Sequence, residues 1–187
     1  NDLLIMIDVS LSKSFLNPKS VAIIGASADP KKTTSRAQRF LVSHGYKGKI
    51  FPVNPNREEI FGLKCYPNLK SINEQVDHIF VAIDGNKIIE YIKDAISIKV
   101  RCATILSGGF SESGSEGNDL EKYIFKIAKK GDLRILGPNS IGLINISDNV
   151  ILSANAMLEL QDLKKGSLGV ISHSGSLIGA LLAHGHS

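Results

Sequence analysis

Five clusters of small, hydroxyl-bearing or glycine residues punctuate the chain, each at the end of an apolar run. They are Gly25-Ala26-Ser27, Asn54-Pro55 with Arg57 just behind, Ala82-Ile83-Asp84, Ser107-Gly108-Gly109 and Gly137-Pro138-Asn139. Residues without bulky side chains let backbone N–H groups approach an anion closely. The first cluster lies in "VAIIGASADPKKTTSRAQRFL", residues 21–41, where an apolar run meets a glycine and then a helical pattern. The positive end of that helix would point at the same place. Lys31, Lys32, Arg36 and Arg57 bring cationic charge to it. The chemistry open to such residues is the holding of phosphate groups.

The loop is not an ordinary dinucleotide fingerprint. Counted from Gly25, a G-x-G-x-x-G pattern would need glycines where Ser27 and Pro30 stand. The acidic residue that grips a dinucleotide ribose belongs at the end of the second strand, and that place holds Asn54-Pro55-Asn56-Arg57. An arginine there favours a ligand with an extra phosphate on its ribose, and both NADP and coenzyme A qualify. Position alone leaves open that Arg57 is a solvated loop charge.

The elements that must position these clusters can be read from periodicity. Continuous apolar runs at 20–25, 48–55, 78–83, 102–109 and 133–139 predict buried strands. Helical spacing is expected over 35–44, closed by Gly45, over 87–99, and over 118–130, with Gly131 as its C′ residue. Apolar strands alternating with helices indicate α/β architecture, a doubly wound parallel sheet covered on both faces, in which ligands bind beyond the carboxyl ends of the strands. Residues 1–16 read as a lead-in and 17–145 as the first α/β domain. Residues 142–156 lack a helical period and read as short extended pieces, so 146–165 is expected to link. The remainder, 166–187, reads as a strand over 167–171, a Ser-Gly turn and a helix from Ser176, the opening of a second α/β domain.

Composition excludes several function classes. The 187 residues are 43 % hydrophobic and 21 % charged, enough for one domain with a sizeable core and part of another. A net charge of +4 without a block of basic residues, and 6 % aromatics, give little support to nucleic-acid binding. No apolar run is long enough to span a membrane. The start "NDLLIMID" lacks the basic region of a signal peptide and, without an initiator Met, reads as a processed or partial chain. Cys65 and Cys102 form neither a zinc motif nor a disulfide framework, which suits ordinary thiols in a reducing cytoplasm, and no metal site is expected.

Several stretches, taken in order, resemble the NDP-forming acyl-CoA synthetases, the ADP-forming acetyl-CoA synthetase relatives of the succinyl-CoA synthetase α subunit. They are "FLNPKSVAIIGAS", "GKIFPVNPNREEIFGLKCYPNL", "VDHIFVAI", "LSGGFSESG", "ILGPNSIGLIN" and "GVISHSGSLIGALL". The resemblance implies a Rossmann-type CoA-binding domain followed by the start of a flavodoxin-like domain. It implies CoA contacts at Gly25, Ala26, Ser27, Arg36, Asn54, Pro55, Arg57, Ala82, Ile83, Ser107, Gly108, Gly109, Pro138 and Asn139. It also implies a phosphate- or acyl-phosphate-facing turn at His173, Ser174, Gly175 and Ser176. The complete enzyme would interconvert acyl-CoA, ADP and phosphate with a carboxylic acid, CoA and ATP, through an acyl phosphate and a phosphohistidine. No catalytic residue is expected in this segment, because the phosphorylated histidine would lie beyond Ser187. The site for ATP or ADP with Mg2+, on an ATP-grasp domain or β subunit, would also lie outside it. An oligomer, with neither nucleic acid nor membrane as partner, is implied.

Two departures stand out. Thr34 stands where the family often has glycine, and His173 where relatives commonly carry Gln or Arg. His173 is expected to line or flank the acyl-phosphate pocket rather than carry phosphate. His184 and His186 read as solvated helix-end residues, and His44 and His78 have no partner legible in the sequence. Two rival functions remain at this level: a ligand-sensing, synthetase-like region of a protein lysine acetyltransferase, and an NADP-binding oxidoreductase domain.

Overall fold

Val21, Ala22, Ile23 and Ile24 are all fully buried, which requires a strand covered on both of its faces. The computed structural model, which describes residues 9–85, 87–159 and 163–185, shows how that cover is arranged. In chain order the elements are α1 (Val9–Leu16), β1 (Ser20–Ile24), α2 (Thr33–Ser43), β2 (Lys49–Val53), β3 (Glu59–Ile60), β4 (Leu63–Lys64), β5 (His78–Val81), α3 (Lys87–Ser97), β6 (Cys102–Ile105), α4 (Ser115–Lys130), β7 (Arg134–Leu136), β8 (Gly142–Asn145), β9 (Val150–Ser153) and α5 (Gly175–His184).

Five strands form one parallel sheet in the order β2-β1-β5-β6-β7. Alternate residues of β1 serve opposite layers. Val21 and Ile23 pack with Ala37 and Leu41 of α2, whereas Ala22 and Ile24 pack with Ile88, Ile92 and Ala95 of α3 and Ile124 and Ala128 of α4. Winding runs from β1 to β2 on one side and then from β5 outward on the other. The direction therefore reverses between β1 and β5, where a crevice opens beyond the strand ends. Pro52 cannot donate to a ladder and is accommodated because β2 lies at the sheet edge, where its carbonyl accepts the Tyr66 N–H at 2.8 Å.

The helix ends refine the expected boundaries. α2 closes as expected, with Gly45 left-handed at φ +74° and Tyr46 N–H returning to the Leu41 carbonyl. α3 stops at Ser97 rather than 99, because Lys99 itself takes the left-handed position at φ +61° and Val100 N–H returns to Ala95. In α4 the left-handed C′ residue is Asp132, φ +54°, and not Gly131. Gly131 is needed for a different reason: a Cβ there would lie 2.4 Å from Ile96, so it permits α3 and α4 to approach. α4 also begins at Ser115, earlier than expected. Its first turn contains Gly117, where a Cβ would meet the Phe110 carbonyl oxygen at 2.0 Å.

Three features depart from the sequence reading. The lead-in contains α1, which docks on the sheet through Phe15, edge-on to the His78 ring at 5.3 Å. A β3–β4 hairpin turns through Phe61 and Gly62, both at positive φ, as a two-residue hairpin of the mirror-image type requires. The stretch expected to link instead holds β9, all four residues buried, paired with β8. Val150 and Leu152 join Ala37 and Leu41 of α2, and Ile151 joins Phe40. Residues through Leu158 thus pack onto the first layer.

The expected strand at 167–171 is absent. A strand needs a hydrogen-bonding neighbour, and this segment has none among the described residues. Leu168 and Ile171 stand 84 % and 103 % exposed. The helix that follows does form, one residue earlier than expected. It closes at His184, so the second-domain segment expected to run to Ser187 is described only as far as Gly185, and His186 and Ser187 lie outside the described residues. No described helix is long and apolar enough to cross a membrane.

Candidate functional site

Gly25 ends β1 at φ +80°, a conformation that favours glycine. A Cβ there would lie 2.5 Å from Ile83 Cγ2 and 2.6 Å from the Ala82 carbonyl oxygen, so the ends of β1 and β5 meet at this residue. Gly25 N–H donates to the Val53 carbonyl at 3.0 Å, which joins the end of β2. Asn54 completes that corner: its Nδ2 donates to the Ala26 carbonyl at 2.9 Å and its Oδ1 accepts the Asn56 N–H. Pro55 and Arg57 stand exposed on the resulting turn.

The lip continues across the sheet. Ser107 Oγ donates to the Ile83 carbonyl, and Asn139 N–H donates to the Ser107 carbonyl at 3.0 Å. Gly137 and Asn139 both have positive φ, and the Gly137–Pro138 peptide bond is cis. Ser140 N–H reaches the Ile105 carbonyl, which clamps this loop to the end of β6. Hydrogen bonds thus join Asn54 to Ala26 at one end and Ile83 to Ser107 to Asn139 at the other, and the close approach of Gly25 to Ala82 and Ile83 brings the two runs into one edge.

The phosphate-binding candidates lie at the β1–β2 end. Between Ser27 and Lys32 the loop is pinned by its own side chains: Ser27 Oγ accepts the Asp29 N–H and Asp29 Oδ1 the Lys31 N–H. Lys32 is the N-cap of α2 and supplies no side-chain cap; its carbonyl takes the Ser35 N–H at 3.0 Å, which leaves the N–H groups of Thr33 and Thr34 as the first-turn donors for a ligand. Lys31 and Lys32 are exposed. Arg36 is different. Its Nη1 donates to the Ala154 carbonyl at 3.0 Å, so at least one of its donors serves the β8–β9 hairpin instead of the crevice.

The turn at 173–176 lies close to the other end. Gly175 meets Ile141, two residues beyond Asn139, with a Cβ position 3.0 Å from its Cδ1. Asn155 Nδ2 donates to the Gly175 carbonyl at 3.2 Å. Ser174 is the N-cap of α5, its Oγ accepting the Leu177 N–H, and His173 is exposed. The histidines without legible partners prove structural. His44 Nε2 faces the Leu158 carbonyl at 2.9 Å. His78 bonds the Ser14 carbonyl through Nδ1 and Thr104 Oγ1 through Nε2. Burial pushes the His78 pKa down to about 4, partly opposed by the Ser14 carbonyl and by Asp77. The helix-end role expected of His186, and the phosphorylated histidine expected beyond Ser187, both fall outside the described residues.

Both cysteines are buried and neither is in a disulfide, and burial raises the Cys65 thiol. No cluster of three potential metal ligands occurs among the described residues. A groove of about 460 Å3 lined by Leu16, Ile144, Leu168 and Leu181 shares no residue with the strand ends. Sequence reasoning missed Glu112, whose carboxylate reaches Gly109 N–H at 2.7 Å. The adjacent "GGFSE" spacing was the available signal.

Residues 19–146 match the family model described as a CoA binding domain. The chain belongs to this CoA-binding family. It is 37 % identical over 165 residues to acetate–CoA ligase (ADP-forming) II of Archaeoglobus fulgidus, covering 88 % of this chain and 24 % of that protein. It is 34 % identical to acetate–CoA ligase (ADP-forming) I subunit alpha of Pyrococcus furiosus, covering 91 % and 37 %. Among solved structures, dinucleotide-forming acetyl-coenzyme A synthetase 1 of Ca. Korarchaeum cryptofilum, in complex with phosphate and ADP, superposes with a TM-score of 0.85. It is 33 % identical, over 93 % of this chain and 36 % of that one. The CoA-binding chain thus corresponds to the CoA-binding region of ADP-forming acyl-CoA synthetases and spans roughly a quarter to a third of these relatives' length.

Proposed function

We propose that this chain holds CoA for an ADP-forming acid–CoA ligase. In the complete protein, phosphate attacks the thioester carbonyl of acyl-CoA, CoA leaves as the thiol, and an acyl phosphate forms. The phosphoryl group then passes to a histidine beyond Ser187, releasing the acid, and finally to ADP. Splitting one difficult transfer into easier ones through a covalent intermediate is the general logic. An ATP-grasp domain or β subunit supplies the nucleotide site with its Mg2+.

The continuous edge of strand ends carries this reading. The loop at 25–27 and the first turn of α2 receive the diphosphate, with Lys31 and Lys32 beside it. Arg57 meets the ribose phosphate. Ala82, Ile83, Ser107, Gly108, Gly109, Pro138 and Asn139 carry the rest of the ligand along the sheet edge. Its thiol end is thereby directed toward Ser174, Gly175 and Ser176, a helix start beside Ile141 that suits an acyl phosphate. His173 flanks that turn. Residues 166–187 open the second, flavodoxin-like domain, whose remaining strands would pair with 167–171.

Calorimetric titration of the chain with CoA, and with NADP in parallel, tests the reading. Micromolar binding of CoA alone is expected. Binding of NADP alone would overturn it and favour an oxidoreductase domain.

A further inference from the structure

The rim of the crevice is electrically lopsided. Lys31, Lys32 and Arg57 stand exposed at the β1–β2 end. At the end of β6 the loop is answered by carboxylates instead. Glu112 Oε1 accepts the Gly109 N–H at 2.7 Å, and Glu121 Oε2 accepts the Ser111 N–H at 3.1 Å. The Glu112 carboxyl is held below its usual range by backbone N–H groups, its own first, then those of Gly109 and Phe110. The Gly109 N–H aimed at this carboxylate, with the Phe110 N–H next to it in the chain, makes the kind of concavity that elsewhere takes a phosphate. Gly109 contributes through a backbone at φ +95°.

This carboxylate stands within the crevice edge. A Cβ on Gly108 would lie 2.9 Å from Glu112 Oε1 and 3.8 Å from Asn139 Oδ1. The Glu112 oxygen, the Gly108 backbone and the Asn139 amide therefore share one small space beside Ser107. A second anion entering there would find its donors taken and a like charge in place.

We propose that Glu112 is a specificity-determining residue of the crevice: its carboxylate fills the backbone anion nest at the end of β6, so that this end refuses a phosphate and is left to the uncharged arm of the ligand. The assignment of that arm rests on the CoA reading above. The filled nest does not. A turn-capping role alone would also place Glu112 near Gly109, but it would not make phosphate access to the nest depend on the charge of residue 112.

The test is an NMR titration of the 15N-labelled chain with inorganic phosphate, followed at the amides of Gly108, Gly109 and Phe110. In the wild type these amides should stay still while those of Thr33 and Thr34 shift. In Glu112→Ala and in Glu112→Gln the nest amides should shift saturably, at least tenfold more tightly than in the wild type, with Thr33 and Thr34 unchanged as the internal control of folding. Glu112→Gln keeps the chain length and one acceptor oxygen, so it covers the case in which the alanine variant loses the turn. Wild-type nest amides that already respond to phosphate would overturn the proposal, as would nest amides that stay silent in the glutamine variant. Loss of CoA binding with these shifts intact would instead remove the CoA reading and leave the filled nest standing.

Discussion

Gly25 shows how one residue can decide a site. Its φ of +80° and its 2.6 Å Cβ approach to the Ala82 carbonyl leave no room for a methyl group. Gly25→Ala should cost about 2–4 kcal/mol and weaken CoA at the same time, read by urea melts and calorimetry. Arg57 makes the complementary case, because nothing in the packing requires it. Arg57→Glu should leave the melt unchanged and weaken CoA by roughly tenfold more than dephospho-CoA, about 1.4 kcal/mol. Equal losses for the two ligands would take Arg57 off the ribose phosphate. His78 carries the pH dependence. In the unfolded chain it titrates near 6.5, and in the fold near 4. Above pH 6.5 both states hold it neutral. As pH falls from there toward 4, the unfolded chain gains a proton that the fold refuses, and stability is lost. Between pH 7 and 5 the loss should be about 2 kcal/mol in urea melts, and His78→Gln should flatten it. The glycines and Arg57 were legible in the sequence because strand ends announce themselves by type and spacing. His78 was not, since its partners Thr104 and Ser14 come together only once the chain has folded, whereas Glu112 was missed although its Gly109 partner lies three residues away.

At the scale of elements, the five parallel strands, α2, α3 and α4 follow from periodicity, since each buries a continuous run or a stripe. Their ends were less legible, for a physical reason. Lys99 and Asp132 occupy left-handed positions that sequence reasoning reserves for glycine, whereas Gly131 is small because Ile96 presses on it. Lys99→Gly and Asp132→Gly should therefore each stabilise the fold by about 0.5–1 kcal/mol, measured as a raised urea midpoint at unchanged slope. The β8–β9 hairpin was read as extended pieces, with β9 assigned to a linker, because a short antiparallel pair has no periodicity long enough to show that α2 covers it. The strand expected over 167–171 fails for the opposite reason. Its sequence pattern is sound, but a strand is defined by its neighbours, and none is present among the described residues.

At the scale of the whole molecule, Leu158 is the last described residue before α5 that is buried in the first layer, while α5 contributes Gly179 alone to the buried set. Truncation after Glu159 should therefore preserve a single cooperative melt and the CoA affinity, whereas truncation after Asn149, which removes β9, should abolish both. Circular dichroism and calorimetry on the two fragments would check this. Strand order has one more consequence, in time rather than in space. β1 precedes both β2 and β5 in the chain, yet it lies between them, and its loop is finished only when Ala82 and Ile83 close on Gly25. During translation the loop after β1 thus emerges before β5 and waits, its apolar strand uncovered on one side, until the ribosome has delivered β5. A pause before residue 78 would prolong that exposure, and nascent-chain aggregation would be set by the rate of synthesis across this interval.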